Sequence, residues 1–361
     1  MIEHDPYSIA DPDAIETPAM VVFEAQVNAN IAALCELVGG GANLMAHVKT
    51  HKSEAIVRKQ LAAGICGFKC ATLKELEMAL RAGADKAILS YPQVQERKIE
   101  RLCDLVSSHP DAWIAAIVSS QFHLDVLAKV ATRREQTVRV MLDLDAGMQR
   151  TGIGFGPEAQ RLYSDIDAHP FLEPSGFHLY DGHNELSDVH EREAAAQQNV
   201  KSLQEFQRLI ESARMPVPCV VAGGSWTFPY YARTEGMYGS PGTFVYWDAG
   251  YSASMPDLPF RCASLIRTHV AARRPPPGPA RPGPPRRPAR RPRRPPPPGR
   301  PGRPGCRRRP ERAPVPWLPA SPPTPPPRSG QHRPRDTCRP PRLPGAPPPA
   351  PRAPARGGPH A

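Results

Sequence analysis

Short apolar runs alternate with amphipathic stretches over roughly the first 250 residues of the chain. The runs have the length of buried β-strands, and the stretches between them repeat apolar residues at the spacing of an α-helix. An initial run at residues 19–23 is followed by a helical stretch. Eight further strand candidates then follow, at residues 44–48, 67–70, 87–90, 113–118, 138–144, 176–179, 219–222 and 244–247.

The longest helix candidate covers about residues 188–213, where Leu203, Phe206, Leu209 and Ile210 form an apolar stripe. Eight strands separated by helices predict an α/β fold, a (β/α)8 barrel of the TIM type. A doubly wound open sheet is the alternative. No Gly-x-Gly-x-x-Gly motif follows the first strand, and this weighs against a dinucleotide-binding fold.

The last quarter of the chain has a different composition. Residues 275–361 contain 34 of the 48 prolines, 20 arginines and only two acids, so their formal charge is +18 and that of the preceding residues is −7. Proline removes backbone donors and almost nothing apolar is present, so we predict a disordered, polyproline-like tail. Our hypothesis is a frameshift near residues 270–274, because residues with GC-rich codons dominate. The alternative is a genuine low-complexity tail.

Charge and apolar runs also limit the location and partners of the chain. The acidic body gives no reason to expect specific nucleic-acid binding, although the arginine-rich tail leaves open a nonspecific nucleic-acid-binding fusion. No apolar run approaches the length of a membrane span. The first residues lack the basic region of a secretory signal, and six scattered cysteines before residue 275 fit buried thiols. We therefore expect a cytoplasmic protein without membrane contact.

Lys49 stands where the first barrel strand is expected to open into a loop. Desolvation at such a place lowers the pKa of an amine, and a neutral amine is a nucleophile. Lys49 is therefore a candidate for a Schiff base with a carbonyl cofactor. A surface lysine that caps a strand is the alternative.

Polar residues collect at the other expected strand ends, where barrel enzymes carry their active sites. Arg150 is a candidate for binding a carboxylate or a ring substituent, with a salt bridge to Asp143 or Asp145 as the alternative. Tyr180 is expected against a cofactor ring, unless it is an ordinary core aromatic. His183 is a general acid–base candidate, unless it is a surface histidine.

Two glycine-containing segments predict an anion-binding cradle. An isolated Gly223-Gly224-Ser225 is usually a turn, but here it follows the seventh strand, where barrels often bind phosphate. Gly242 and Thr243 lie before the eighth strand candidate and complete the predicted cradle. A Schiff-base lysine together with a phosphate cradle indicates pyridoxal 5′-phosphate as the cofactor.

Four segments together resemble the D-threonine aldolase/D-serine dehydratase family of fold-type III pyridoxal phosphate enzymes, related to the N-terminal barrel of alanine racemases. The segments are His47 to Lys52, Asp145 to Gly152, Tyr180 to His183 and Gly223 to Ser225. The resemblance covers about residues 15–265.

The resemblance implies that Lys49 holds the cofactor and that Tyr180, Arg150 and the Gly223–Ser225 loop bind it. We also expect His47, in the Lys49 segment, to contact the cofactor.

The resemblance also implies a homodimer and a second β-domain beside the barrel. The expected division is an N-terminal segment at 1–24, the barrel at 25–250, the start of the C-terminal β-domain at 251–274 and the tail at 275–361. The tail disrupts this second domain.

The family implies a divalent metal held by a closely spaced His and Cys or Asp late in the chain. No such pair stands in residues 275–361, so we assign no metal ligands here. The implied substrate is a D-β-hydroxy amino acid. The implied reaction is aldol cleavage to glycine and an aldehyde, or alternatively a D-serine dehydratase-like loss of ammonia. A noncatalytic or racemase-like cofactor-binding remnant is a further alternative. We expect weak activity or low stability.

Overall fold

The computed structural model of the chain describes residues 6–272. A short strand, Ala19–Val22 (β1), leads into helix Glu24–Val38 (α1). This helix ends at Gly39, whose φ of +77° is the left-handed conformation that glycine adopts without steric cost.

Eight parallel strands then form one sheet in which each strand pairs with the next in chain order. A parallel bridge between Leu44 and Gly239 joins the last strand to the first. The predicted (β/α)8 barrel is confirmed, and the open doubly wound sheet is wrong. The strands are Met45–His47 (β2), Gly67–Cys70 (β3), Lys86–Leu89 (β4), Trp113–Val118 (β5), Val138–Leu144 (β6), Leu172–Leu179 (β7), Val220–Ala222 (β8) and Met237–Gly239 (β9).

Helices alternate with the strands along the chain, and local capping fixes where several of them begin. The Thr72 hydroxyl accepts a hydrogen bond from the Glu75 backbone N–H, and the Glu75 carboxylate accepts one from the Ala71 N–H. After α1, the helices are Glu54–Ala62 (α2), Leu73–Arg81 (α3), Glu96–Ser108 (α4), Gln121–Arg134 (α5), Pro157–Ala168 (α6), Val189–Ser212 (α7), Phe228–Ala232 (α8) and Ala249–Ser254 (α9).

The inside of the barrel has two layers of opposite character. One layer, which we call the interior apolar cluster, consists of Met45, Ile88, Ala115, Ile117, Met141, Cys219 and Val221. Residues two apart on a strand point to the same face, so a second set of side chains also points into the barrel. This second layer lies nearer the carboxyl ends of the strands. This interior polar layer consists of His47, Lys69, Asp143, His178 and Ser240, all of them buried.

The eighth barrel strand differs from its predicted position. We expected it at residues 244–247, but Met237–Gly239 forms the strand and Thr243–Val245 is a 3₁₀ helix. The apolar run is buried as predicted, yet it packs as a turn against the core. Consequently Gly242 follows the last strand instead of preceding it, and so lies at the carboxyl end of the barrel.

The stripe predicted for the longest helix is also corrected at one position. In α7, Leu203, Phe206 and Ile210 are buried, whereas Leu209 is 44% exposed. Leu209 stands three positions after Phe206 but on the edge of the buried face, because a helical turn of 3.6 residues carries it toward solvent.

Outside the barrel, Ser264–Arg267 (β10) pairs antiparallel with β1. Met20 and Ile266 stand opposite each other in this ribbon and are 51% and 68% exposed. The ribbon joins the two segments from which the predicted second β-domain would be built. That domain and its boundaries stay a prediction.

Two further predictions concern the limits of the described chain. The Pro/Arg-rich tail at residues 275–361 lies outside the described residues, and the frameshift near residues 270–274 stays a hypothesis. Within residues 6–272, no helix has both the length and the apolar character needed to cross a membrane.

Candidate active site

Lys49 lies directly beyond β2, in the 3₁₀ helix Val48–Thr50, and is half-buried. Its backbone N–H donates to Nδ1 of His47, which holds the turn against the end of the strand. Its Nζ is 5.6 Å from the ring centroid of Tyr180. Burial is the main cause that lowers the pKa of Lys49, and the positive charge of Arg150 lowers it further. This lowering agrees with the direction that we expected for Lys49.

Tyr180 forms a flat surface beside Lys49. Glycine is required behind this ring, because a Cβ atom at Gly224 would lie only 2.7 Å from its Cε2. Burial raises the pKa of Tyr180, so its hydroxyl keeps its proton at neutral pH.

Arg150 stacks between two tyrosines and makes neither of the salt bridges considered as alternatives. Its guanidinium carbon is 4.6 Å from the Tyr180 ring centroid and 5.3 Å from that of Tyr91. Asp143 instead bonds His178, and Asp145 accepts the backbone N–H of Gln149. The exposed guanidinium keeps its donors available for an anionic ligand.

His183 lies on the loop after β7, exposed to solvent. A Cβ atom at Gly147 would be 3.3 Å from its Nε2, so the imidazole rests on the turn after β6. Gly147 has a φ of +109°, and its N–H donates to the Asp145 carboxylate. The structure thus places the Asp145 and His183 segments, both singled out in the sequence, side by side.

The two glycine loops lie against each other. The Thr243 N–H donates to the Ser225 hydroxyl at 3.2 Å, which connects the loop after β8 to the loop after β9. Within residues 6–272, the backbone N–H groups of Ser225, Trp226 and Gly242 have no hydrogen-bond partner. Unpartnered donors on adjoining loops are the chemistry that an anion such as a phosphate needs.

Asp181 was not assigned a role from the sequence, although it lies inside the Tyr180 segment. Its buried carboxylate accepts hydrogen bonds from the hydroxyls of Thr227 and Tyr231 and from the side-chain amides of Asn184 and Asn199. It therefore fixes the end of β7 to the segment that follows the Gly223–Ser225 loop.

Sequence reasoning also missed Lys69. This lysine is 3% exposed on β3, its Nζ donates to the Ser240 hydroxyl at 2.9 Å, and it lies 5.2 Å from the Tyr180 ring centroid. Beside it, Nδ1 of His178 and the Asp143 carboxylate form a buried pair at 2.6 Å. A charged residue inside the short apolar segment Gly67–Cys70 was the available signal, and it is the same signal that identified Lys49.

No group of three or more His, Cys, Asp or Glu side chains within residues 6–272 is arranged to hold a metal ion.

Comparison with known families supplies the wider context for this barrel. Residues 23–249 match the model of the alanine racemase N-terminal domain. The chain belongs to this family. The family match covers the whole barrel, from the start of α1 to the end of β9, together with every candidate site residue.

Two proteins similar to this chain are named as a dehydratase and an aldolase. The chain is 26% identical over 255 residues to D-threo-3-hydroxyaspartate dehydratase of Delftia sp. (strain HT23), covering 65% of this chain and 62% of that protein. It is 23% identical over 259 residues to D-threonine aldolase of Arthrobacter sp, covering 70% and 67%. The chain thus spans about three fifths to two thirds of the length of these relatives.

Solved structures of such enzymes share the fold. D-Threonine aldolase from Filomicrobium marinum superposes with a TM-score of 0.64 at 24% identity, covering 71% of this chain and 72% of that one. A D-threo-3-hydroxyaspartate dehydratase variant in a metal-free form superposes with a TM-score of 0.60 at 22% identity, covering 70% and 67%. At these identities the likeness establishes the barrel alone.

Proposed function

We propose that the chain binds pyridoxal 5′-phosphate and that Lys49 bonds covalently to the cofactor aldehyde. One observation carries this proposal. A lysine with a lowered pKa faces Tyr180 at the same barrel end as adjoining loops with unpartnered N–H groups. A nucleophilic amine and an anion cradle are the two features that this cofactor needs from a protein.

The residues fit the cofactor in distinct ways. The N–H groups of Ser225, Trp226 and Gly242 would hold the phosphate. Gly223 and Gly224 shape this loop, because a Cβ atom at either position would clash with the Tyr231 or Tyr180 ring. Thr243 supports the cradle through its N–H bond to Ser225.

The other contacts surround the reactive end of the cofactor. Tyr180 would lie against the ring, and Arg150 would bind a ring oxygen or a substrate carboxylate. His47 would orient Lys49 through the bond that it accepts from the Lys49 N–H.

We further propose that the natural substrate is a D-β-hydroxy amino acid, which both named relatives support. When bound, the cofactor supplies an electron sink for the bond broken at Cα. In aldol cleavage, His183 would take the hydroxyl proton, the Cα–Cβ bond would break to release an aldehyde, and return of a proton to Cα would give glycine. In the alternative dehydration, the Lys49 amine, freed when the substrate takes its place, would take the Cα proton and the β-hydroxyl would leave as water. The released enamine would become an imine, and water would hydrolyse it to ammonia and a keto acid.

A divalent metal polarises the substrate hydroxyl in such chemistry, but the chain offers no matching ligand pair in residues 275–361. We therefore propose that this chain is a cofactor-binding protein with weak lyase activity. A cytoplasmic homodimer is the state that we expect for a form with an intact C-terminal β-domain.

Cofactor capture at Lys49 is the first test of the proposal. The full chain is incubated with pyridoxal 5′-phosphate, reduced with borohydride and digested, and the modified lysine is identified by mass spectrometry. We expect modification at Lys49 and its loss in Lys49→Ala. The matched control Lys74→Ala removes an exposed lysine of α3 and keeps the modification. Capture that is equal in Lys49→Ala and wild type would overturn the proposal.

Product analysis separates the two reactions. D-Threonine and D-threo-3-hydroxyaspartate are supplied to the loaded protein, and glycine, aldehyde, ammonia and keto acid are quantified. Glycine with aldehyde supports the aldolase, and ammonia with keto acid supports the dehydratase. Capture of the cofactor with no product from either substrate would favour the noncatalytic alternative.

A further inference from the structure

Lys69 is a buried lysine, and within residues 6–272 the only hydrogen-bond partner of its side-chain amine is the hydroxyl of Ser240. A lysine is seldom fully buried without a carboxylate partner. Its place on β3, under the Tyr180 ring, puts it inside the barrel below the candidate site. Such a position costs stability, so a functional reason for keeping a lysine there is expected.

Ser240 connects this lysine to both loops of the cradle. The Ser240 hydroxyl donates to the Gly223 carbonyl at 2.7 Å, and Gly223 begins the loop after β8. Ser240 itself stands two residues before Gly242, whose N–H has no partner within the described residues. The chain of bonds from Lys69 through Ser240 to Gly223 therefore holds the two loops together from inside the barrel.

The charge of Lys69 is weakly compensated by its surroundings. Burial is the largest cause that lowers the pKa of Lys69, to about 7, and the positive charge of Lys49 acts in the same direction. The charged or titratable groups that face Lys69 from the neighbouring elements are His47, Lys49, Asp143, Arg150, His178, Tyr180 and Asp181. An anion in the cradle would add negative charge and favour the protonated amine.

We propose that Lys69 is a positioning residue of the cradle, which holds its two loops together through Ser240 and supplies positive charge to a bound phosphate group. This inference rests on the proposed function, because it assumes that the cradle binds the phosphate of the cofactor. The chemistry applies equally to inorganic phosphate.

The test compares full-length wild type with Lys69→Met, Ser240→Ala and the control Lys86→Met. Lys86 is another lysine of a barrel strand, and it lies over the Trp113 and Tyr238 rings beside the interior apolar cluster. The probes are pyridoxal 5′-phosphate, pyridoxal without the phosphate, and inorganic phosphate. All variants keep the arginine-rich tail, so nonspecific anion binding by the tail contributes equally to every protein that is compared.

We expect Lys69→Met to weaken pyridoxal 5′-phosphate and phosphate binding by about tenfold to about a hundredfold. Pyridoxal binding should change by less than about threefold, because pyridoxal brings no phosphate to the cradle. Ser240→Ala should weaken phosphate binding to a smaller degree, since it removes the anchor but keeps the amine. Lys86→Met should match wild type for all three probes.

Calorimetry adds a readout that a purely structural role would not move. At about pH 8, wild type should take up a proton on binding phosphate, seen as a dependence of the heat on buffer ionisation. Lys69→Met should lack this uptake, and circular dichroism checks that each variant is folded.

The outcomes separate the inference from the proposed function. Equal phosphate affinity and equal proton uptake in wild type and Lys69→Met would overturn the role of Lys69, even if Lys49 still captures the cofactor. Conversely, a Lys69-dependent phosphate site without cofactor capture would retain the role of Lys69 and reject the proposed cofactor.

Discussion

The interior apolar cluster and the interior polar layer meet on strands β2 and β6, yet they differ completely in chemistry. On β2, Met45 belongs to the first and His47 to the second, and on β6 the same is true of Met141 and Asp143. Two residues along a strand are enough to pass from a region that stabilises the barrel to one that serves a ligand. The position of a residue along the barrel axis therefore determines whether it stabilises the barrel or serves a ligand.

Some buried polar atoms of the interior polar layer lack hydrogen-bond partners, whereas the interior apolar cluster contains no such atoms. Within residues 6–272, Nε2 of His178 and Oδ2 of Asp143 have no hydrogen-bond partner. Buried polar atoms without partners cost free energy. We conclude that the interior apolar cluster stabilises the fold, whereas the interior polar layer destabilises it.

The largest effect is expected from placing a charge in the interior apolar cluster. Ile88→Lys should lower the free energy of unfolding by more than about 4 kcal/mol, because no partner there compensates a buried ammonium. Urea denaturation measures the change. Leu209→Lys, on the exposed edge of α7, is the control and should change it by less than about 0.5 kcal/mol. If Ile88→Lys were as stable as wild type, the interior apolar cluster would not depend on its apolar character, and the proposed difference between the two layers would be wrong.

A smaller effect is expected from breaking the buried pair in the polar layer. Asp143→Ala leaves His178 without its partner and should lower the free energy of unfolding by about 3 kcal/mol. The double replacement Asp143→Leu with His178→Phe should lie within about 1 kcal/mol of wild type, because neither polar group remains. A double variant as unstable as Asp143→Ala would show that the layer contributes stability after all.

The pH dependence of stability should reveal Lys69. Its pKa is about 7 in the folded protein and near 10.5 when unfolded, so unfolding takes up a proton between these values. The free energy of unfolding of wild type therefore rises with pH in this range, by up to about 1.4 kcal/mol per pH unit, because of this group. Burial of the amine costs wild type most near pH 7, so the unfolding free energy of wild type should rise relative to that of Lys69→Met from about pH 7.5 to about pH 9.5. A difference that stays constant would contradict burial of the amine.

The smallest effect is expected from metal removal. The polar layer contains two histidines and an aspartate, yet no three such side chains within residues 6–272 form a metal site. We expect a chelator to leave cofactor capture and any residual turnover unchanged, as measured by product formation before and after dialysis. Full, metal-dependent turnover by this chain would contradict both the ligand assignment and the proposed impairment.

The pattern of apolar runs predicted seven of the eight barrel strands, because each is a buried run bounded by polar loops. The last strand was missed, since Met237–Gly239 is short, ends in glycine and lies near the more apolar residues 244–247. Burial alone does not distinguish a strand from a buried 3₁₀ turn. The pairing partner decides, and Gly239 bonds the Asn43 carbonyl across the closing seam.

The candidate site was predictable wherever its residues stand at strand ends. Lys49, Tyr180 and the two glycine loops follow from position and residue type. Lys69 was missed because a lysine in a four-residue strand is usually outward-facing, and only its partner Ser240, far along the chain, reveals that it points inward. The Asp181 bonds are likewise long-range, and no local pattern encodes them.

The pairing of β1 with β10 has a consequence for synthesis on the ribosome. Met20 pairs with Ile266, so the first strand emerges 246 residues before its partner. At about 5 to 20 residues per second, this strand waits roughly 10 to 50 seconds with its backbone donors unpaired. During that interval its apolar face is a target for chaperones, and for the same strand of neighbouring nascent chains on a polysome.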